Sequence, residues 1–188
     1  MEPSIENVML AYLSASESHV TEGMSWYDEA NAFARSLDPV RWHRSAGVIA
    51  ALSPMNGWTN NKRKAAQLYS QNGDGTGCGL FKNVSKAVAI YNGEDAYDIL
   101  GGDKVRAFYS TILDPRGDCI PVIDRHAFDI AIGRVTDDSA KAILSRKGVY
   151  SSFANVYREA GDRIGISAAQ VQAITWVYWR EKKGVAWA

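Results

Sequence analysis

The chain has 188 residues, 46% of them hydrophobic, with six Trp and nine Tyr, enough apolar material for one compact domain with its own core. Its 21 basic and 21 acidic side chains balance to a formal net charge of zero. That excludes coating of nucleic acid by bulk electrostatics but leaves room for a local basic face. Three further signatures are missing. No apolar run reaches the roughly 18 residues of a membrane span, and the opening Met1-Glu2-Pro3-Ser4 lacks the basic-then-apolar order of a signal peptide. Cys78, Cys119 and three histidines form no zinc or iron–sulfur pattern. The expectation is a cytoplasmic monomer with no membrane contact, metal or cofactor.

In chain order, residues 4–16 read as a first helix, with Ser4 as cap and Ile5, Val8, Met9, Tyr12 and Leu13 on one face. A second runs from Thr21 to Leu37, its Trp26, Tyr27, Ala30, Phe33 and Ala34 at core spacing, and Asp38-Pro39 stops it. Residues 40–52 form a third, apolar nearly all round and therefore central. It ends at Ser53-Pro54, before the polar stretch Met55-Asn56-Gly57-Trp58-Thr59-Asn60-Asn61. A fourth helix, Asn61 to Tyr69, carries Lys62, Arg63 and Lys64. A buried helix ending in Asn, Thr and Trp and backed by cations suits the wall of a site that receives a base; an ordinary surface turn fits the same residues.

Gln71 to Gly79 holds four glycines in nine residues but no Gly-x-x-x-x-Gly-Lys-Ser/Thr pattern, so it reads as a flexible loop. Helices follow at residues 82–91, 94–100 and 103–113, and Asp114-Pro115 breaks the last of these. The apolar run Ile120 to Ile123 then delivers Asp124 to the start of another helix that closes at Gly133. Asp124 is either an N-cap or a carboxylate held by backbone N–H groups and aimed at a substrate. Helices at 139–144, 149–164 and 168–180 complete an all-α chain of about ten helices joined by short connections. In the last of them, Gln170, Gln172 and Trp176 read as packing and surface residues.

Three blocks, in order, resemble the helix-hairpin-helix DNA glycosylase superfamily that includes endonuclease III. Gly47 to Lys62, continuing through Ala65 to Tyr69, is similar to the family's early helix pair, where a buried helix ends in a Ser-containing loop flanking the lesion. Leu100-Gly101-Gly102-Asp103-Lys104 sits where the family keeps its hairpin and, in bifunctional members, a lysine nucleophile. Val122-Ile123-Asp124-Arg125-His126 resembles the family's Val-Asp-Thr-His, whose Asp is the catalytic carboxylate. The departures are a hairpin without the Leu-Pro-Gly-x-Gly proline, no four-cysteine iron–sulfur loop, and Ser53-Pro54-Met55 in place of Ser-x-Gln. A phage-encoded branch of the fold, thought to attach amines or amino acids to activated 5-hydroxymethyluracil in DNA, is also similar at Gly102 to Phe108 and at Val122 to His126.

The resemblance covers residues 40–180 and implies one glycosylase-like helical unit over residues 1–188, with helices 1–39 packing on the 40–180 core. It implies a DNA-base-acting enzyme that cleaves an N-glycosidic bond, with Asp124 and Lys104 as catalytic residues. Ser53, Asn56, Trp58, Asn61, Arg125 and His126 would meet substrate. Lys62, Gly101, Gly102 and Arg106 would meet DNA phosphate. The phage branch implies instead a transferase with an amine or amino-acid co-substrate in the host-cell cytoplasm, and a DNA-binding or interaction module without catalysis is the third reading. Residue by residue, alternatives stay open. Lys104 is an imine-forming nucleophile or a phosphate contact. His126 points into the site or holds a backbone group, and Arg125 pairs with Asp124 or meets phosphate.

Overall fold

The computed structural model describes residues 1–182, and every regular element among them is helical. The helices are α1 (Ile5–Leu13), α2 (Glu17–Leu37), α3 (Trp42–Leu52), α4 (Trp58–Ser70), α5 (Phe81–Asn92), α6 (Ala96–Ile99), α7 (Asp103–Leu113), α8 (Arg125–Ile132), α9 (Asp138–Lys141), α10 (Val149–Ile164) and α11 (Ala168–Lys182). A 3₁₀ turn, Ala142–Ser145, follows α9. The all-α class expected from sequence is therefore the fold class. Among the described residues, no helix is long and apolar enough to cross a membrane.

Two helices start earlier than their periodicity suggests, each for a local reason. Before α2, the Ser16 N–H donates to His19 Nδ1 at 2.9 Å and the His19 N–H reaches back to Ser16 Oγ at 3.4 Å, a reciprocal cap that starts the helix at Glu17. At α4, Gly57 is extended at the N-cap and its carbonyl accepts the Asn61 N–H at 2.9 Å. That bond takes the first turn back to Trp58.

The described residues divide into two compact units, one formed by Met1–Asp28 together with residues 114–182, the other by Glu29–Leu113. In the second unit α3 lies against α4, α5 and α7, and every residue from Ser45 to Leu52 is buried. The Gly-rich stretch is seated there rather than loose. A Cβ at Gly73 would fall 2.5 Å from the Tyr91 ring and one at Gly75 would fall 2.2 Å from Val84, so these glycines let the loop press on α5.

In the first unit α1, α8, α10 and α11 pack on one another, with Phe128 and Phe153 stacked at 4.6 Å between centroids. The Ser4 N–H and the Asn7 Nδ2 amide both donate to Ala131 O, at 2.9 and 3.1 Å, docking α1 on the end of α8. The segment after α8 is folded in by Asp129. Its Oδ1 accepts from Thr136 N and Oγ1 at 3.0 and 2.6 Å, and Lys141 Nζ lies 3.4 Å from its Oδ2.

Candidate active site

The apolar run before Asp124 belongs to no regular element and ends in a tight turn, the Asp124 N–H donating to Val122 O at 3.2 Å, and a tyrosine takes the place of a neighbouring strand. The Tyr150 hydroxyl donates to Pro121 O at 3.0 Å and accepts the Ile123 N–H at 2.9 Å, satisfying backbone groups that burial would otherwise leave costly. This holds the residue that follows. Asp124 is the N-cap of α8, in extended geometry, and its Oδ1 accepts the His126 and Ala127 N–H groups at 2.9 and 2.8 Å. Among the described residues, Oδ2 accepts no hydrogen bond. Asp124 thus caps with one oxygen from a half-buried position.

The groups around this carboxylate are mostly buried. Burial first, and then the Asp124 charge, push the Tyr27 and Tyr157 phenols well above their ordinary value. The Tyr157 hydroxyl donates to Ala127 O at 2.9 Å and that of Tyr27 to Gln172 Oε1 at 2.7 Å. The Arg180 guanidinium lies 4.4 Å over Trp176; burial lowers its pKa, while Glu22 and Asp124 act the other way. Burial also holds the His126 imidazole below its ordinary value against the opposing charge of Asp124. Tyr27, Tyr157 and Arg180 are thus themselves largely out of water, and beside such groups a developing positive charge is stabilised by a carboxylate more strongly than in water.

The chain belongs to DUF7178, a family of unknown function. The family's model matches residues 1–183. No curated protein and no solved structure matches the chain.

Of the residues singled out in the sequence, Asp124, Arg125 and His126 lie in the first unit; Ser53, Asn56, Trp58, Asn61, Lys62, Gly101, Gly102, Lys104 and Arg106 lie in the second. Arg125 is exposed, with its Nη2 3.3 Å from Asp138 Oδ1, so Asp138 is a carboxylate partner of Arg125. The loop after α3 is pinned from within. Asn56 Nδ2 donates to Leu52 O at 2.7 Å, while Asn56 Oδ1 accepts from Lys64 Nζ at 2.7 Å and from Asn60 Nδ2 at 2.8 Å. The Ser53 hydroxyl turns back to Ala50 O at 2.9 Å.

Trp58 packs edge-on between Phe33 and Phe108, with centroids at 6.0 and 6.3 Å, and Lys62 Nζ lies 5.3 Å from its ring. Asn61 is buried with its Nδ2 on Ile49 O at 3.1 Å, and its Oδ1 is the one fully buried side-chain polar atom without a partner among the described residues. At the hairpin position, Gly102 adopts a φ of 80° and α7 begins at the next residue. Arg106 fastens that turn, with Nε on Leu100 O at 2.8 Å and Nη2 on Tyr97 O at 3.2 Å. Lys104 is exposed in the first turn of α7, a placement that suits contact with phosphate.

Two groups of residues have placements that give them a role the sequence reading did not. Tyr27, Gln172 and Arg180 meet Asp124's surroundings from helices distant in sequence, although Gln172, Trp176 and Arg180 are spaced four apart and so share one face of α11. In the second unit, Met55 is 91% and Phe81 87% exposed, and their segments are linked: Asn83 Nδ2 donates to Pro54 O at 3.4 Å. Lys64 also reaches both sides, since a Cβ at Gly79 would lie 3.1 Å from its Nζ. From Pro39 to Gly93 the sequence carries seven Lys and Arg against a single acidic residue, Asp74, a local excess hidden by the neutral total.

Proposed function

We propose that this protein acts on bases in DNA as an N-glycosylase-type hydrolase with Asp124 as the catalytic carboxylate. The observation that carries the reading is the divided use of Asp124: Oδ1 bound to two backbone N–H groups, Oδ2 accepting from no described residue, and buried phenols close by. Hydrolysis breaks the C1′–N bond, with the electron pair leaving on the base and positive charge growing on the sugar. A fixed carboxylate stabilises that charge and takes a proton from the attacking water, whose oxygen bonds to C1′. Further support comes from the second unit. Taken by itself, that unit exposes Met55 and Phe81 in a stretch rich in Lys and Arg, and exposed side chains of this kind stack on the bases of single-stranded DNA.

The sequence Asp124-Arg125-His126 favours a second reading, transfer of an amine or amino acid to pyrophosphorylated 5-hydroxymethyluracil in DNA, in which Asp124 takes the proton of the incoming amine as its nitrogen bonds to the 5-methylene carbon and the C–O bond to the departing pyrophosphate breaks. The test is mass spectrometry of nucleosides and free bases after incubation with DNA carrying normal, damaged, 5-hydroxymethyl and pyrophosphorylated 5-hydroxymethyl pyrimidines, with candidate amines present. A released base that disappears with Asp124→Asn supports the hydrolase; a heavier nucleoside supports the transferase. No product from any substrate removes both enzyme readings and leaves a DNA-binding module.

A further inference from the structure

Gln172 is 4% exposed, in a run of α11 buried continuously from Val171 to Thr175. A carboxamide is an expensive choice for such a position unless its hydrogen bonds are used, and an aliphatic side chain of similar size would pack there at lower cost. Only half of its capacity is used by the protein. Oε1 accepts the Tyr27 hydroxyl proton at 2.7 Å, while Nε2 donates to no atom of the described residues. Since Asn61 Oδ1 is the one fully buried orphan among them, Gln172 Nε2 retains contact with solvent. It is a donor held at the edge of the core, its orientation fixed by a buried phenol.

Its neighbours on the helix face extend the pattern. One turn on is Trp176, which meets Trp26 edge-on at 5.6 Å, and one turn further is Arg180, 8% exposed and stacked over the Trp176 indole at 4.4 Å. Amide, indole and guanidinium thus follow one another at i, i+4 and i+8. An amide reads the hydrogen-bonding edge of a base, an aromatic ring takes its face, and a guanidinium complements negative charge. The helix that carries these residues packs on α8, the helix that Asp124 caps, and the Asp124 charge acts with burial to raise the phenol of Tyr27, which orients the amide.

We propose that Gln172, oriented by Tyr27, is a specificity-determining residue whose Nε2 donates to the 4-oxo group of a pyrimidine, so that the Asp124 site takes uracil derivatives rather than bases presenting a 4-amino group. This rests on the reading of Asp124 as part of a base site. A carbonyl at that position gains a hydrogen bond, whereas an amino group sets donor against donor.

The test is calorimetric titration of the full chain with 2′-deoxyuridine and 5-hydroxymethyl-2′-deoxyuridine against 2′-deoxycytidine, beside the DNA turnover assay. The wild-type protein is expected to prefer the uracil nucleosides by about tenfold, the size of one buried hydrogen bond. Gln172→Glu replaces the donor by an acceptor and is expected to reverse the order. Tyr27→Phe keeps the ring and frees the carboxamide, and is expected to lower the preference toward unity; it serves if Gln172→Glu does not fold. No preference in the wild-type protein, or the same preference in wild type and the folded variants, overturns the proposal. Turnover of DNA with an unchanged preference in Gln172→Glu would remove the role of Gln172 and leave that of Asp124. Selective nucleoside binding by a chain that processes no DNA would do the reverse.

Discussion

Asp124 joins two tasks that a single substitution separates. Asparagine caps a helix about as well as aspartate, so Asp124→Asn is expected to keep α8 within about 0.5 kcal/mol of its stability while lowering turnover by about a hundredfold or more. Thermal unfolding alongside the product assay checks both halves; a folded, fully active variant would sink the catalytic assignment. His126, two residues on, makes a prediction about acid. Burial holds its folded-state pKa below the ordinary 6.5, outweighing Asp124. As the pH falls through 6.5 the unfolded chain therefore takes the proton first, and its share of the population grows. Stability is expected to decline from that point until the folded-state pKa is passed. His126→Gln should flatten denaturant midpoints measured from about pH 7 to about pH 5, and an unchanged slope would argue against this coupling.

Single helices show why some boundaries can be read from sequence and others cannot. The start and stop of α8 are local chemistry, an Asp cap and a Gly at φ 78°, and both were expected from Asp124 and Gly133. Gly133 has a second constraint that no pattern announces: a Cβ there would lie 2.8 Å from the Asn7 amide. Gly133→Ala is accordingly expected to cost about 1–3 kcal/mol, more than α8 alone requires, and a chemical denaturation midpoint equal to the wild-type value would count against it. In α11, burial nearly all round the helix removes the contrast between faces that periodicity depends on. By sequence Gln172 therefore reads only as a packing or surface residue, and it is the fold that puts Tyr27 beside it. The turn after α3 belongs with these cases, because Met55 holds a φ of 64° where glycine is usual. Replacing Met55 and Phe81 together by Ala is expected to weaken single-stranded DNA binding about ten- to a hundredfold with little change in melting temperature, since both side chains are exposed. Undiminished binding in fluorescence anisotropy would remove this surface from the proposed function.

Across the whole molecule, composition and helical spacing carried the class, because a helix is built from residues three and four apart. The two units could not be read in that way: Tyr27 and Gln172 are 145 positions apart, and pairing at that range depends on complementary shape and hydrogen bonding rather than on any recurring motif. Charge behaves similarly. A total of zero conceals the basic stretch from Pro39 to Gly93, which becomes visible only when the chain is divided.

The first unit is assembled from both ends of the described chain, and this bears on how the protein is made. Asn7 of α1 bonds to Ala131 O, 124 positions later. At translation rates of about 5–20 residues per second, roughly 6–25 s separate their synthesis. During that interval Ile5, Val8 and Ala11, buried in the finished fold, have not met α8, α10 or α11, whereas Glu29–Leu113 is already complete. The nascent chain is thus expected to protect its middle from protease before its beginning. Limited proteolysis of ribosome-arrested chains ending near residue 150 would show that order, and early protection of α1 would contradict it. In the cell, α1 would present an apolar face to chaperones long before its partners arrive.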